Sequence, residues 1–209
     1  MKCVIFLNGE VNDYDFVKNH VTGLGEVHIV ACDGGLSHID HLNLLPDLLI
    51  GDFDSVDKEV LDMHKNFKTI RFPTDKNNTD SELALAYAKK KGFEEVIFYG
   101  ALGGRCDHII GNVFLLKKAN EMGLKLKIVD ENQEIFYIDK HIVLEGYKDK
   151  VASLLPLGVV KCKESKGLKY PLDGLAFEIG DSLSISNVIK DNKLEISIEK
   201  GNCILVINS

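Results

Sequence analysis

Apolar residues fall in two textures along this chain of 209 residues. Up to about residue 130, short runs rich in Val, Ile and Phe ("KCVIFLN", "EVHIVAC", "DLLIGD", "FKTIRF", "EEVIFYG" and "KLKIVD") alternate with stretches of helical pattern. Runs that stay apolar at successive positions suit strands buried on both faces of a parallel sheet. The clearest helix is "TDSELALAYAKKKG". In it Thr79 and Glu82 form a capping box, Asp80 occupies the first turn, three lysines the last, and Gly92 closes it. From about residue 134 the runs become short and partly alternating: "EIFYID", "HIVLEG", "VASLLPLG", "LAFEIG", "SLSISNVI", "LEISIEK" and "CILVIN". Gly, Asp, Asn or Pro separates them, an all-β signature. The pattern predicts a Rossmann-like α/β domain with a parallel sheet over residues 1–132, then a small all-β sandwich over residues 133–209.

Composition agrees with an ordinary globular chain, 45% hydrophobic and 27% charged. No apolar run reaches the roughly 20 residues of a membrane-spanning helix. The opening "MKCVIFLNGE" is too short for a signal-peptide core and reads as the first strand. Five cysteines, scattered and never in a CxxC pair, read as reduced thiols of a cytoplasmic protein. A net charge of -7 argues against sequence-independent nucleic-acid binding, so neither nucleic acid nor membrane is expected as a partner. An anionic ligand would need locally placed cations or a metal. Only two of the 25 basic residues are arginines, and both Arg71 and Arg105 stand beside the segments that follow.

In open α/β sheets, ligands gather outside the carboxyl ends of the strands. Four acidic or glycine-rich segments fall at such ends: "ACDGGLSHI", "IGDFDSVD", "PTDKNNTDSE" and "GALGGRCDH". In an extended "GDFDS", Asp52 and Asp54 leave on the same side and could share one hard cation. The plainer alternative is a solvated acidic turn in which Ser55 or Asp54 caps the helix "SVDKEVLDMH". Oxygen-only ligands point to Mg²⁺ or Mn²⁺ rather than zinc. After Asp33, the glycines Gly34 and Gly35 would let backbone approach a ligand and expose helix-start N–H groups to phosphate; a plain turn capped by Asp33 remains the alternative. Lys76, Thr79 and Asp80 place positive dipole, N–H donors and a third carboxylate at another helix start, where Asp80 is also favoured for its dipole alone. Arg105 could grip phosphate bidentately and Asp107 accept from a ligand amine or hydroxyl, or the two could form a structural ion pair.

Other features carry less. His38 and His41, at i and i+3, lack the partners of a zinc set and read as helix-surface histidines. There is no GxxxxGK[ST], GxGxxG or G-x-S-x-G motif. Lys89 to Lys91 read as a helix end, and Asp47 and Asp57 as solvated. Together the four strand ends describe magnesium-assisted phosphate transfer without a P-loop.

The ordered set "CDGG", "IGDFDS", "KNNTD", "GALGGRCDH", "SLLPLG", "GLKYPL" and "SLSISN" resembles the thiamine pyrophosphokinase family over residues 32–187. The resemblance implies transfer of the pyrophosphoryl group of ATP to the hydroxyl of thiamine, giving thiamine diphosphate and AMP. It implies Mg²⁺ held by Asp52, Asp54 and Asp80 with Asp33 nearby, and pyrophosphate held by Arg105 and the helix start around Thr79. Asp107 would lie close to the reacting groups, and Ser184, Ser186 and Asn187 would meet thiamine. It also implies a homodimer with the active site between subunits. Two positions depart from the family pattern: Asn77 stands where many members have an acid, leaving Asp75 as a stand-in, and Tyr170 stands where members often have Trp. Two rival readings are another Mg²⁺-dependent phosphotransferase on a small alcohol and a nucleotide or thiamine sensor without turnover. The clustered carboxylates speak against the sensor.

Overall fold

A computed structural model of the chain describes residues 1–53, 56, 58–64, 66–71 and 78–208. The chain divides into two compact units, Met1–Glu131 and Asn132–Ser209. The first runs β1 (Lys2–Phe6), α1 (Tyr14–Gly23), β2 (Val27–Cys32), α2 (Gly35–His41), β3 (Leu48–Gly51), α3 (Lys58–Met63), β4 (Thr69–Arg71), α4 (Asp80–Lys90), β5 (Glu95–Tyr99), α5 (Cys106–Glu121) and β6 (Lys125–Val129). These strands pair in parallel in the order β6-β5-β1-β2-β3-β4.

β1 shows why its run is continuously apolar. Cys3, Val4, Ile5 and Phe6 are all fully buried, so neither face of this strand meets water. Val4 and Phe6 join Ala31, Leu36, Ile39, Leu49 and Tyr99 in one core cluster. The chain leaves β1 toward β2, β3 and β4, then returns to the other side of β1 to add β5 and β6. That reversal opens a crevice at the carboxyl ends of β1 and β5.

α4 starts where its pattern predicts. Thr79, in extended backbone, caps it by accepting from the Glu82 amide at 3.3 Å. The Glu82 carboxylate pairs with Lys118 of α5 rather than reaching back to complete the capping box. Gly92, at φ +80°, closes the helix with its amide on the Lys89 carbonyl.

The second unit adds β7 (Gln133–Ile138), β8 (His141–Glu145), β9 (Val151–Pro156), β10 (Val160–Lys166), β11 (Ala176–Phe177), β12 (Asn187–Val188), β13 (Lys193–Lys200) and β14 (Cys203–Asn208). They form two antiparallel layers, β12-β9-β14-β7 and β11-β10-β13-β8. Alternate residues point between them: Leu194, Ile196 and Ile198 from one layer meet Cys203, Leu205 and Ile207 from the other in a single core.

β10 is a strand that the apolar pattern does not mark. Its inward positions are Val160, Cys162 and Ser165, and two register shifts against β13 interrupt the alternation. Ser165 is buried yet satisfied, its hydroxyl donating to the Asp173 carboxylate at 3.1 Å and accepting from the Leu172 amide at 2.8 Å. Conversely, "SLSISNVI" reads as a strand but contributes only the two residues of β12. Truncating Leu205→Ala empties the centre of this core. It should destabilise by about 2 to 5 kcal/mol, read as a lowered urea midpoint by circular dichroism.

Candidate active site

At the crevice the turns after β1 and β5 touch through backbone. The Gly9 amide donates to the Gly100 carbonyl at 2.7 Å, and the Glu10 amide to the Leu102 carbonyl at 2.7 Å. A Cβ on Gly35 would lie 2.1 Å from the Phe6 carbonyl oxygen, so the start of α2 can approach the end of β1 this closely only without a side chain there.

The acidic residues sit beside this seam. The Asp33 amide donates to the Ile50 carbonyl at 2.9 Å, and a Cβ on Gly51 would be 3.2 Å from Asp33, so the ends of β2 and β3 are in contact. Asp33 (φ +48°) and Phe53 (φ +63°) both adopt the left-handed conformation that non-glycine residues rarely accept. Such strain gathers where the surrounding structure must hold a functional geometry. Phe53 is buried and lies under the Arg71 guanidinium, 5.9 Å from ring centroid to Cζ. α4 is tied to the same edge by the Cys32 thiol, 3.7 Å from the Asp80 carbonyl. Asp33, Asp52 and Asp80 are each half-buried. The structure thus brings together the ends that carry Asp33, Asp52 and Asp80. Asp54, Ser55, Asp57, Asp75, Lys76 and Asn77 lie outside the described residues. Among those described, no group of three or more His, Cys, Asp or Glu side chains is gathered closely enough to hold a metal ion. Asp47 stands before β3, at the other end of the strand, accepting from the Ile29 amide at 2.8 Å.

Arg105 and Asp107 flank the first turn of α5 and bind each other. Arg105 donates through Nε at 3.1 Å and through its terminal nitrogen at 2.6 Å to the two Asp107 oxygens. This hydrogen-bonded pairing holds the Asp107 carboxyl below its ordinary range and raises the guanidinium. Both side chains are exposed, 71% and 65%. An exposed pair of this kind exchanges readily for another partner.

In the second unit, Ser184 and Asn187 are buried. The Ser184 hydroxyl donates to the Leu154 carbonyl at 2.6 Å. Asn187 grips the backbone of Tyr170 from both sides, accepting from its amide at 3.1 Å and donating to its carbonyl at 2.7 Å. Tyr170 itself is 57% exposed. Ser186, at φ +58°, presents its side chain to solvent while its amide is held by the Ser153 hydroxyl at 3.0 Å.

Residues that sequence reasoning passed over also shape the site. Asn8, Gly9 and Glu10 belong to none of the four strand-end motifs, yet they line the seam; only the turn-forming "NG" directly after an apolar strand sets them apart in the sequence. His38 is half-buried rather than on the helix surface, with both ring nitrogens engaged.

A parallel sheet whose carboxyl edge gathers glycine turns, carboxylates and a capped helix start defines a phosphate-handling α/β protein. Comparison with known proteins narrows this. Residues 25–128 match the family model for the thiamin pyrophosphokinase catalytic domain, and residues 140–203 that for its vitamin B1 binding domain. The chain is 27% identical over 193 residues to thiamine pyrophosphokinase of Bacillus subtilis, covering 89% of this chain and 90% of that one. The solved thiamine pyrophosphokinase structure from Bacillus subtilis shares the fold with a TM-score of 0.88 at 23% identity, covering 100% and 99% of the two chains. The Geobacillus thermodenitrificans structure aligns at 0.85 and 25%, covering 100% and 98%. The chain belongs to the thiamine pyrophosphokinase family.

Cys106, the first residue of α5, is exposed, while the other four cysteines are buried. Burial pushes Cys3 and Cys203 up to about 12 and Cys162 to about 11. Iodoacetamide at pH 8 on the native protein should therefore label one thiol of five, Cys106, as read by peptide mass spectrometry.

Proposed function

We propose that the protein transfers the pyrophosphoryl group of ATP to the hydroxyl of thiamine, giving thiamine diphosphate and AMP. The observation that carries this reading is the match of both halves of the chain to the catalytic and vitamin-binding parts of one family, with the carboxylates and glycine turns at the sheet edge where a nucleotide would sit. We assign residues 1–132 to ATP and residues 133–209 to thiamine and dimerisation.

The donor set suits a hard divalent cation: Asp33, Asp52 and Asp80 offer only oxygen, at strand and helix ends joined by the contacts above. We assign Asp52, Asp54 and Asp80 as the residues that would hold Mg²⁺, which when bound would neutralise charge developing on the phosphates. Arg105 would exchange Asp107 for the pyrophosphate, and the freed Asp107 carboxylate would lie close to the reacting groups. The start of α4 at Thr79, with Lys76 and the backbone of Gly34 and Gly35, would receive phosphate oxygens through N–H groups and helix dipole. Ser184, Ser186 and Asn187 would meet thiamine, on a segment that the backbone hydrogen bonds of Ser184 and Asn187 hold in place, and the exposed Tyr170 would face the ligand beside them. Apolar side chains are left open on α5 (Ile110 and Phe114) and in the second unit (Leu175, Ile179, Leu183 and Ile185), which supports a homodimer that completes the site between subunits.

Incubation with ATP, Mg²⁺ and thiamine should yield AMP and thiamine diphosphate in equal amounts. ADP as the nucleotide product would overturn the pyrophosphoryl mechanism. Asp80→Asn should lower kcat by about a hundredfold or more with the fold intact by circular dichroism. Wild-type turnover by that variant would remove Asp80 from the metal set.

A further inference from the structure

His38 stands on α2, three residues beyond the Gly34-Gly35 turn, and reaches out of its helix to two other segments. Its Nε2 lies 2.8 Å from the Gly9 carbonyl and its Nδ1 2.8 Å from the Tyr14 hydroxyl. A carbonyl can only accept, so Nε2 carries the proton, and Nδ1 of the neutral ring accepts from Tyr14. Burial lowers the pKa of the ring, outweighing the opposing hydrogen bond to Gly9, and keeps it in that neutral form near pH 7. Tyr14 is itself fixed on its other side by the His41 ring, 3.9 Å away between centroids.

What His38 holds is the hub of the crevice. The segment after β1 zips onto the loop after β5 by three successive contacts: Gly9 amide to Gly100 carbonyl, Glu10 amide to Leu102 carbonyl, and Gly104 amide to the Glu10 carboxylate at 3.1 Å. Gly103 and Gly104 have positive φ and little intrinsic preference of their own, so this zipper sets where the next residue, Arg105, caps the start of α5. Gly100 also packs against His38: a Cβ there would lie 3.4 Å from the imidazole Cδ2.

We infer that His38 is a positioning residue for the transfer reaction, clamping residues 8–10 between α2 and the loop 100–104 so that Arg105 and Asp107 are presented at a fixed place. It links two of the four strand-end segments, "CDGG" and "GALGGR", through a third that carries no motif. The inference rests on the function proposed above for its kinetic consequence, though not for its structural one.

Three variants test it: His38→Leu, which removes both hydrogen bonds; His38→Gln, whose amide can still donate to the Gly9 carbonyl; and Tyr14→Phe, which removes one partner. In His38→Leu, kcat should fall about ten- to a hundredfold with KM for thiamine within about twofold, because misplacement of a catalytic group, not thiamine binding, is affected. His38→Gln should restore most of the loss. The effects of Tyr14→Phe and His38→Leu should be non-additive when combined. Independently of turnover, NMR-detected hydrogen exchange of the Gly9, Glu10 and Gly104 amides should speed up in His38→Leu while those of β6 stay unchanged. Wild-type kcat and exchange in His38→Leu would overturn the inference. So would exchange that rises equally in β6 without rescue by His38→Gln, which marks a packing residue only. A wild-type protein that makes no AMP would defeat the proposed reaction and leave the exchange test standing.

Discussion

The Gly9 amide meets the Gly100 carbonyl at 2.7 Å, where a Cβ on Gly9 would stand 2.4 Å from that oxygen and from the Leu102 oxygen. This approach happens where the strand order reverses, between β1 and β5. Two parallel strands whose following turns diverge leave a crevice; two whose turns are pinned together at its floor leave a crevice of fixed shape. The contacts around it depend on that pinning: Gly34 and Gly35 let α2 start against Asn8 and Phe6, and α2 then supplies His38 to the Gly9 carbonyl. The carboxylate-bearing ends of β2 and β3 are joined in the same manner, by Asp33 on Ile50. Main-chain contacts, which tolerate almost no substitution at the glycines, thus set the frame into which charged side chains project.

Much of this was legible in residues 1–130 because a buried parallel strand leaves an unmistakable apolar run, and the capping residues Thr79 and Gly92 announce both ends of α4. The sandwich was legible where alternation is clean, as in β13, or where the run is continuously apolar, as in β14. It was not in β10, where Lys and Glu occupy the outer face and bulges shift the inner one, nor in residues 182–186, where β-forming side chains sit in a loop held by the Ser184 hydroxyl. The acidic and glycine motifs stood out by composition. Asn8 to Glu10 and His38 did not, because their work is done through backbone atoms and one imidazole whose partners lie far away in sequence.

The candidate site residues divide into two kinds by what their atoms already do. Ser184 and Asn187 have their side chains engaged with backbone partners. Arg105, Asp107, Ser186 and Tyr170 present exposed side chains, and the Arg105–Asp107 pair is the simplest kind to open when a doubly charged phosphate competes for the guanidinium. Charge explains the arrangement too. A chain of net charge -7 can receive a polyphosphate only where the sign is locally reversed, and the carboxyl edge of the sheet is where helix starts and Arg105 are at hand.

The proposed reaction requires the ends carrying Asp33, Asp52 and Asp80 to form one cation and phosphate site. Anomalous diffraction from crystals grown with Mn²⁺ and a non-hydrolysable ATP analogue tests it most directly. A single site gives a manganese peak beside the Asp52 and Asp80 carboxylates with the analogue's phosphates over the start of α4. A nucleotide bound away from the carboxyl edge of the sheet, or manganese ordered only elsewhere, would contradict it.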